Sequence, residues 1–221
     1  MSLVVHRLRE VGSTQDEARR LLESGRASPG HVFVADEQSE GRGRFGREWL
    51  SPAGGLYATF LVKRCPSIAL VSGVAVIRAL ARFDVAACLK WPNDLLVGEK
   101  KLAGILIETT RHVALVGVGV NLLDAPLQTA TCVRAAGGTA RRGELVVAIG
   151  EELRKPRDVR GLLTAYRGCL STLGRVVRIA LANGGTIEGT AVDIDADGRL
   201  LIETEMGRRT VSSGECVHLR V

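Results

Sequence analysis

The segment Gly41–Trp49 has the composition of a loop that binds an anion. It reads G-R-G-R-F-G-R-E-W, so three arginines occur within six positions and glycines separate them. Neighbouring guanidinium groups repel each other unless an anion neutralises them, and each can bind a phosphate or a carboxylate through paired hydrogen bonds. Glycine lets the backbone approach a ligand closely. Taken alone, the segment is compatible with a ligand-wrapping loop, a solvated basic loop or a nucleic-acid contact.

The glycines of this segment also spell G-x-G-x-x-G, the pattern of a dinucleotide-binding loop. That loop requires a helix that opens directly after the glycines and points its N-terminus at the pyrophosphate. The residues that follow the last glycine are R-E-W-L-S-P-A-G-G, which cannot form such a helix. A protein kinase loop is excluded as well, because no V-A-I-K or D-F-G motif follows it.

A second polar segment, Lys90–Leu96, precedes a strand-like run, Lys101–Glu108. It begins K-W-P-N-D, in which the proline ends one strand and Asn93 and Asp94 can form a turn. A hairpin at this place would bring the carboxylate of Asp94 close to the ammonium group of Lys101. A simple turn followed by a charge on an edge strand explains the same spacing, so both interpretations remain open.

The elements that must position these segments are those of an α+β protein. Apolar runs predict strands at Val4–Arg9, His31–Ala35, Leu56–Val62, Ala86–Lys90, Lys101–Glu108 and Val113–Val120. A capping-box spacing that begins at Thr14 predicts the first helix, which should stop at Gly25. Further helices are predicted at Ile68–Phe83, which is nearly all apolar and should be buried, and at Leu145–Leu153 and Leu162–Leu170. Glycines near the end of the last strand, in Gly117–Asn121, would let a backbone or a ligand pack closely.

After residue 172 the pattern changes to short β runs. They are Val176–Leu181, Thr186–Ile194, Leu200–Glu203 and Thr210–Leu219. N-G-G, D-G and M-G between them are typical of hairpin turns. We therefore predict two domains, a mixed β-sheet with helices over residues 1–172 and a small β-barrel over residues 173–221. The formal net charge of +6 divides between them as +7 and −1, so the basic charge belongs to the larger domain.

The composition excludes several classes of protein. A hydrophobic content of 46% with 24% charged residues is typical of a folded globular chain and not of a disordered one. The longest apolar stretch, Ile68–Ile77, is too short to span a bilayer, and the N-terminus lacks a signal-peptide core, so we expect no membrane contact and a cytoplasmic location. The five cysteines and four histidines lack metal-ligand spacing, and we interpret the cysteines as reduced core residues.

Four segments resemble, in order and spacing, the successive signatures of biotin protein ligases. They are Gly41–Trp49, Lys90–Leu95, Lys101–Leu106 and Gly117–Asn121. The resemblance covers nearly the whole chain and implies a class II synthetase-like catalytic fold followed by an SH3-like β-barrel. It implies that biotin is activated with ATP to biotinyl-5′-AMP and pyrophosphate, and then transferred to a lysine of a biotin carboxyl carrier protein domain.

The resemblance also implies roles for individual residues. Arg44 and Lys101 would be catalytic, because they supply positive charge where a carboxylate meets an α-phosphate. Biotin or biotinyl-AMP would be bound by Ser13, Thr14, Gln15, Gln38, Arg42, Gly43, Arg44, Trp49, Lys101 and Gly104. ATP would lie near Asn93, Asp94 and Asn121, with Mg²⁺ near Asp94. ATP and biotin would be the substrates and Mg²⁺ a required ion. No tightly bound cofactor is expected. Gln15 stands where asparagine is common in the family.

Two alternative functions remain open. A lipoate or octanoate ligase or transferase of the same fold is the nearer one, although the Gly41–Trp49 loop and the terminal β module argue against it. A nucleic-acid-binding protein would explain a pI of about 9.4 but leaves the pattern of residues 90–106 unexplained. Some relatives start with a DNA-binding helix-turn-helix; the ligase-like region begins within the first residues here, so we expect no such module and no DNA contact. A homodimer paired through sheet edges is compatible with the resemblance.

Overall fold

The computed structural model describes residues 3–219, which form two β-sheets and four α-helices. The strands of the first sheet are β1 (Val4–Val11), β2 (His31–Gln38), β3 (Leu56–Lys63), β4 (Cys88–Lys90), β5 (Asp94–Val97), β6 (Lys100–Thr109) and β7 (Val113–Val120). Their spatial order is β1-β2-β3-β7-β6-β5-β4. Strands β1 and β2 pair in parallel and the other neighbours pair antiparallel, so the sheet is mixed, as predicted.

The helices are α1 (Thr14–Glu23), α2 (Ile68–Ala81), α3 (Arg142–Arg154) and α4 (Val159–Cys169). Helix α1 packs against β2, β3 and β7. Helix α2 packs against α3 and α4, and its apolar side chains are buried on nearly every side, which confirms the expectation from its composition. Helices α2, α3 and α4 match the predicted helical runs within a few residues, and α1 begins at Thr14, where the predicted capping-box spacing begins.

The residue that caps α1 is Ser13, and not Thr14 as predicted. The hydroxyl of Ser13 accepts a hydrogen bond from the backbone N–H of Gln15 at 3.2 Å. Because the hydroxyl of Ser13 caps the helix, the hydroxyl of Thr14 is available for other hydrogen bonds. The predicted stop is confirmed, since Gly25 has a φ of +70° directly after the helix.

The second sheet has the strands β8 (Val176–Ala180), β9 (Thr186–Ile194), β10 (Leu200–Thr204), β11 (Gly207–Val211) and β12 (Glu215–His218). They pair antiparallel in the order β11-β10-β9-β8-β12, which agrees with the predicted small SH3-like module. The single strand expected over 210–219 is wrong, because Ser212 to Gly214 interrupt it. A Cβ atom at position 214 would lie 2.4 Å from Ile179, so the chain passes close to β8 at this turn.

The two sheets are joined through Trp91. Its indole Nε1 donates to the carbonyl of Gly198 at 3.0 Å, and its backbone N–H donates to the hydroxyl of Thr172 at 2.9 Å. One large hydrophobic cluster includes buried side chains from both sheets. The division at residue 172/173 stays a prediction. Among residues 3–219, no helix is long and apolar enough to cross a membrane.

Candidate active site

One cavity collects most of the residues that the sequence singles out. It has a volume of about 200 Å³ and lies beside the N-terminus of α1, where β3, β6 and β7 meet the arginine loop, which we define as residues 39–50. The predicted residues that line it are Ser13, Thr14, Gln15, Gln38, Arg42, Gly43, Arg44, Trp49, Asn93, Asp94, Lys101 and Gly104. Parts of the chain that are far apart in sequence therefore meet around one space.

A network of uncharged polar groups forms one part of the lining. Gln38 Oε1 accepts hydrogen bonds from the backbone N–H of Thr14 at 2.8 Å and from its hydroxyl at 3.0 Å. The hydroxyl of Thr59 lies 2.9 Å from Thr14 Oγ1 and 3.0 Å from Gln15 Oε1. Gln38 Nε2 donates to Ser51 Oγ at 2.9 Å. Because these groups orient one another, the network presents fixed donors and acceptors that suit an uncharged polar ligand.

The indole ring of Trp49 covers two facing glycines. Gly104 on β6 lies directly opposite Gly119 on β7. A Cβ atom at Gly119 would lie 2.5 Å from Trp49 Cε2, and one at Gly104 would lie 3.1 Å from Cζ3. Because glycine has no side chain, these two positions leave room for the indole ring. Within the described chain, Trp49 Nε1 is buried without a hydrogen-bond partner. Trp49 thus forms an apolar wall of the cavity.

The arginine loop is held on one side by α1. Arg42 forms an ion pair with Asp16, which lies in the first turn of that helix. The loop then makes a short 3-10 turn at Arg44–Gly46, in which Phe45 has a φ of 57° and Gly46 a φ of 71°. A left-handed conformation suits glycine but is uncommon for phenylalanine, so the tip of the loop is locally strained.

On its other side the loop contacts the second sheet. Arg44 Nη2 donates to Ser213 Oγ at 2.6 Å, and Nη1 donates to the carbonyl of Gly214 at 3.3 Å. Arg47 forms an ion pair with Glu215 at 2.6 Å. The turn between β11 and β12 and the start of β12 therefore contribute directly to the surroundings of the cavity. The sequence alone did not indicate this contact.

Lys101 and Asp94 form an ion pair, with Lys101 Nζ 2.7 Å from Asp94 Oδ1. The antiparallel pairing of β5 with β6 produces this proximity, so the expected closeness of the two charges is confirmed. The turn of this hairpin is at Gly98 and Glu99, and Asp94 begins β5 instead of forming the turn. The ammonium group also lies 5.3 Å from the centre of the Trp49 ring, within the range of a cation–π contact. Next to it, Asn93 Nδ2 donates to the carbonyl of Ile105 at 3.1 Å.

Comparison with known proteins identifies the family. Residues 9–122 match the biotin/lipoate A/B protein ligase family, and residues 172–219 match the biotin protein ligase C-terminal domain. The chain belongs to the biotin/lipoate A/B protein ligase family. It is 34% identical to a biotin–[acetyl-CoA-carboxylase] ligase of Mycobacterium tuberculosis, over 96% of this chain and 87% of that protein.

A second relative and a solved structure agree with this membership. The biotin–[acetyl-CoA-carboxylase] ligase of Paracoccus denitrificans is 30% identical, over 94% of this chain and 98% of its own length. The biotin protein ligase of Aquifex aeolicus, solved in complex with biotin and ATP, superposes with a TM-score of 0.81 and 31% identity. That likeness covers 99% of both chains, so this ligase-family protein shares both sheets of the fold.

The charges of the ligase-family site are partly shielded from water. Burial lowers the pKa of Arg44, and the nearby carboxylate of Asp94 acts in the opposite direction. Arg44 nevertheless stays a cation at any physiological pH. Burial raises the pKa of Tyr57 to about 12, so its hydroxyl stays neutral; it donates to the carbonyl of Pro52 at 2.7 Å. Fixed positive charge in a partly dry site interacts strongly with an anion.

One predicted residue is not brought to the cavity. Asn121 is buried, and its side-chain amide donates to the carbonyl of Thr131 at 3.0 Å. Its backbone N–H donates to the carbonyl of Leu102, so this asparagine fixes the segment that follows β7. In residues 3–219, no group of three or more His, Cys, Asp and Glu side chains could hold a metal ion.

Several residues around the cavity escaped the sequence reasoning. They are Ser51, Thr59 and, from the second sheet, Ser213. Arg47, Gly117 and Gly119 lie in segments that the sequence singled out, but were not named individually as site residues. Thr59 could have been found, because it is the one polar residue inside an otherwise apolar run of β3 and is fully buried. Ser213 carries no comparable signal, since only the docking of the second sheet brings it near Arg44.

Proposed function

We propose that the protein activates biotin with ATP and transfers it to a lysine of a biotin carboxyl carrier protein domain. The observation that carries the proposal is a single cavity in which a neutral hydrogen-bonding network adjoins a cluster of cationic side chains. Biotin has this division, with an uncharged ureido ring and an anionic carboxylate. Membership of the ligase family and the names of its relatives support the same reaction.

In the first step, a carboxylate oxygen of biotin attacks the α-phosphorus of ATP. The bond between the α-phosphorus and the bridging oxygen breaks, and pyrophosphate leaves with the electron pair. Both reacting groups are anions, so the site must supply positive charge and alignment more than covalent help. We assign this role to Arg44 and Lys101, with Arg42 at the entrance of the arginine loop.

Because the ureido ring of biotin is uncharged, the protein must recognise it through hydrogen-bond donors and acceptors. We assign these to Ser13, Thr14, Gln15 and Gln38, which already hold one another in place. Trp49 and Gly104 would contact the apolar part of biotin, and the backbone at Gly43 would follow the ligand closely. An uncharged polar network rejects ligands that leave its groups unpaired, which favours biotin over a simple acyl chain.

Mg²⁺ would reach the site with ATP. Asp94 is the carboxylate closest to Lys101 and is partly exposed, and Asn93 adjoins it. The cavity is lined by two carboxylates, Asp94 and Glu48. So few ligands suit an ion that keeps its waters and binds mainly to substrate phosphates, and do not suit a resident metal centre. When bound, the ion neutralises phosphate charge. Lys101 would then hold Asp94 in position through their ion pair.

In the second step, the neutral amine of the carrier lysine attacks the carbonyl carbon of biotinyl-5′-AMP. An amide bond forms as the amine loses one proton to water, the bond between the carbonyl carbon and the phosphate oxygen breaks, and AMP leaves with the electron pair. No protein nucleophile is required, which agrees with the absence of a nucleophile–base pair among the residues that line the described cavity. The mixed anhydride is prone to hydrolysis, so the arginine loop must exclude water until the carrier arrives.

The test is incubation of the protein with ATP, Mg²⁺, biotin and a carrier domain, followed by intact mass measurement of the carrier. We expect one added biotinyl group, and none when ATP is omitted or when the acceptor lysine is changed to arginine. Lipoate and octanoate serve as competing substrates in parallel reactions. Transfer of lipoate or octanoate in place of biotin would overturn the proposal in favour of the other branch of the family. A homodimer, the lack of DNA contact and a cytoplasmic location stay predictions.

A further inference from the structure

A second cavity lies on another part of the molecule and shares no lining residue with the first. It has a volume of about 390 Å³, within the range of small-molecule sites. The two cavities use successive stretches of β3, because residues 57–59 line the first and 60–63 line the second. Most of its wall is apolar, with side chains including Leu3, Phe60, Ile68 and Leu153.

The charged residues that line this cavity are all basic. They are Lys63, Arg154, Lys155 and Arg157, and no acidic side chain is among the described lining residues. Lys155 pairs with Glu152, whose side chain is only 4% exposed. An apolar pocket with a basic rim is complementary to a molecule that has an apolar body and one anionic end.

Arg157 distinguishes this cavity from a surface groove. Its side chain is only 8% exposed, and it is held by Glu152: Nη2 donates to the carboxylate and Nη1 to the backbone carbonyl. Its Nε is buried and has no hydrogen-bond partner among residues 3–219. A guanidinium buried this deeply is poorly solvated, so a second anionic partner brought by a ligand would stabilise it.

We propose that this cavity binds a small amphipathic carboxylate, with its aliphatic chain against the apolar wall and its carboxylate accepting from the guanidinium of Arg157. One carboxylate suffices, because Glu152 is shared by Arg157 and Lys155, and the three groups together keep one net positive charge. Lys63 adds a further positive charge to the lining. Neither the proposed biotin ligase activity nor the first cavity is needed for this binding.

Decanoate is the probe, and decanol and acetate are its controls. Isothermal titration calorimetry should show saturable, one-to-one binding of decanoate, because it has both the chain and the charge. Decanol lacks the charge and acetate lacks the chain, so both should bind far more weakly. Arg157→Lys keeps a positive charge but loses the planar guanidinium with its paired donors, and should weaken decanoate binding about tenfold.

Two further measurements locate the bound molecule. Cys65 lines the cavity and is half-buried, whereas Cys88 is half-buried elsewhere. Decanoate should slow alkylation of Cys65 by N-ethylmaleimide and leave alkylation of Cys88 unchanged, as followed by peptide mass spectrometry. Val71→Phe adds a phenyl ring to the cavity wall. It should abolish binding while leaving Arg157 unchanged.

Controls separate loss of binding from loss of fold. Arg134→Lys alters an exposed arginine far from the cavity and should bind decanoate as the wild type does; thermal unfolding verifies that each variant is folded. Equal binding of decanol, no saturation, wild-type affinity in Arg157→Lys, or displacement of decanoate by biotin with ATP would each overturn the proposal. Displacement would mean that decanoate occupies the first cavity, and would leave the proposed ligase reaction intact.

Discussion

Arg44 and Ser213 are 169 positions apart in sequence, yet the guanidinium of Arg44 donates a 2.6 Å hydrogen bond to the hydroxyl of Ser213. This bond joins the tip of the arginine loop to the turn between β11 and β12. The same guanidinium lies 3.5 Å from Asn93 Oδ1, beside the ion pair of Lys101 and Asp94. The second sheet therefore positions the guanidinium beside Lys101. A phosphate bound at this place would compete with Ser213 for the N–H groups of Arg44.

Arg44→Ala should slow adenylate formation by about 10²–10³-fold, because it removes a fixed positive charge from the site where two anions meet. Pyrophosphate release with biotin and ATP measures this step. Ser213→Ala is the matched control, since it removes the partner and keeps the charge; we expect a change of less than about tenfold. Equal losses in the two variants, or full activity in Arg44→Ala, would contradict the role of Arg44.

Lys101→Gln should also slow adenylate formation by about 10²-fold or more, while the protein stays folded. The amide can still donate to Asp94 but carries no charge, so the loss isolates the electrostatic contribution of Lys101. Asp94→Asn keeps the lysine and removes the carboxylate; it should raise the Mg²⁺ concentration needed for half-maximal rate. Unchanged Mg²⁺ dependence in Asp94→Asn would remove Asp94 from the proposed ion site.

The sequence predicts the larger part of this fold and less of its site. The apolar runs of β3, β7 and α2 were assigned correctly because their lengths differ: the two strands have 8 residues each and the helix has 14. Strand β5 has only four residues, and it exists because β4 and β6 pair with it on both sides. The proximity of Lys101 to Asp94 follows from a local hairpin and was predictable.

Contacts that depend on tertiary docking were not predictable in this way. The pairing of Arg44 with Ser213 requires the position of one sheet relative to the other, which no spacing in the sequence encodes. The strand break at Ser212 to Gly214 has the same origin, since the chain there must pass close to Ile179. Conversely, the glycines of β7 were predicted to allow close packing, and only the structure reveals that Trp49 is the group that packs on Gly119.

Gly119→Ala should weaken biotin binding about tenfold or more and should barely alter the stability of the fold. The added methyl would lie 2.5 Å from Trp49 Cε2, so the ring must move away from the wall of the cavity. Of the two tryptophans only Trp49 is partly exposed, so the fluorescence change on biotin binding reports on it. Gly143→Ala, where nothing lies within 4 Å of the new methyl, is the control. Normal biotin affinity in Gly119→Ala would contradict this role of Trp49.

Thr59→Val should destabilise the protein by about 1–2 kcal/mol and raise the KM for biotin, because valine cannot replace the buried hydroxyl that links Thr14 and Gln15. Urea unfolding measures the first effect and steady-state kinetics the second. Thr164→Val is the control, since that exposed hydroxyl only donates to a carbonyl of its own helix. If both variants keep the KM of the wild type, the network does not orient the groups that bind biotin.

The stability of the protein should fall between about pH 6.5 and pH 4 partly because of His218. Burial, together with the charges of Lys90 and Arg175, lowers the pKa of His218 from 6.5 to about 4, against a smaller opposite effect of Glu99. Below pH 6.5 the unfolded chain binds a proton at this histidine and the folded chain does not, so acid favours unfolding; above pH 6.5 the group makes no difference. His218→Gln keeps a hydrogen-bond partner for Thr172. When the midpoint of thermal unfolding is plotted against pH, this variant should flatten the curve between pH 6.5 and pH 4. The control is His112→Gln, on an exposed loop, which should leave the curve unchanged. A profile in His218→Gln as steep as that of the wild type would show that this histidine is not the group that titrates.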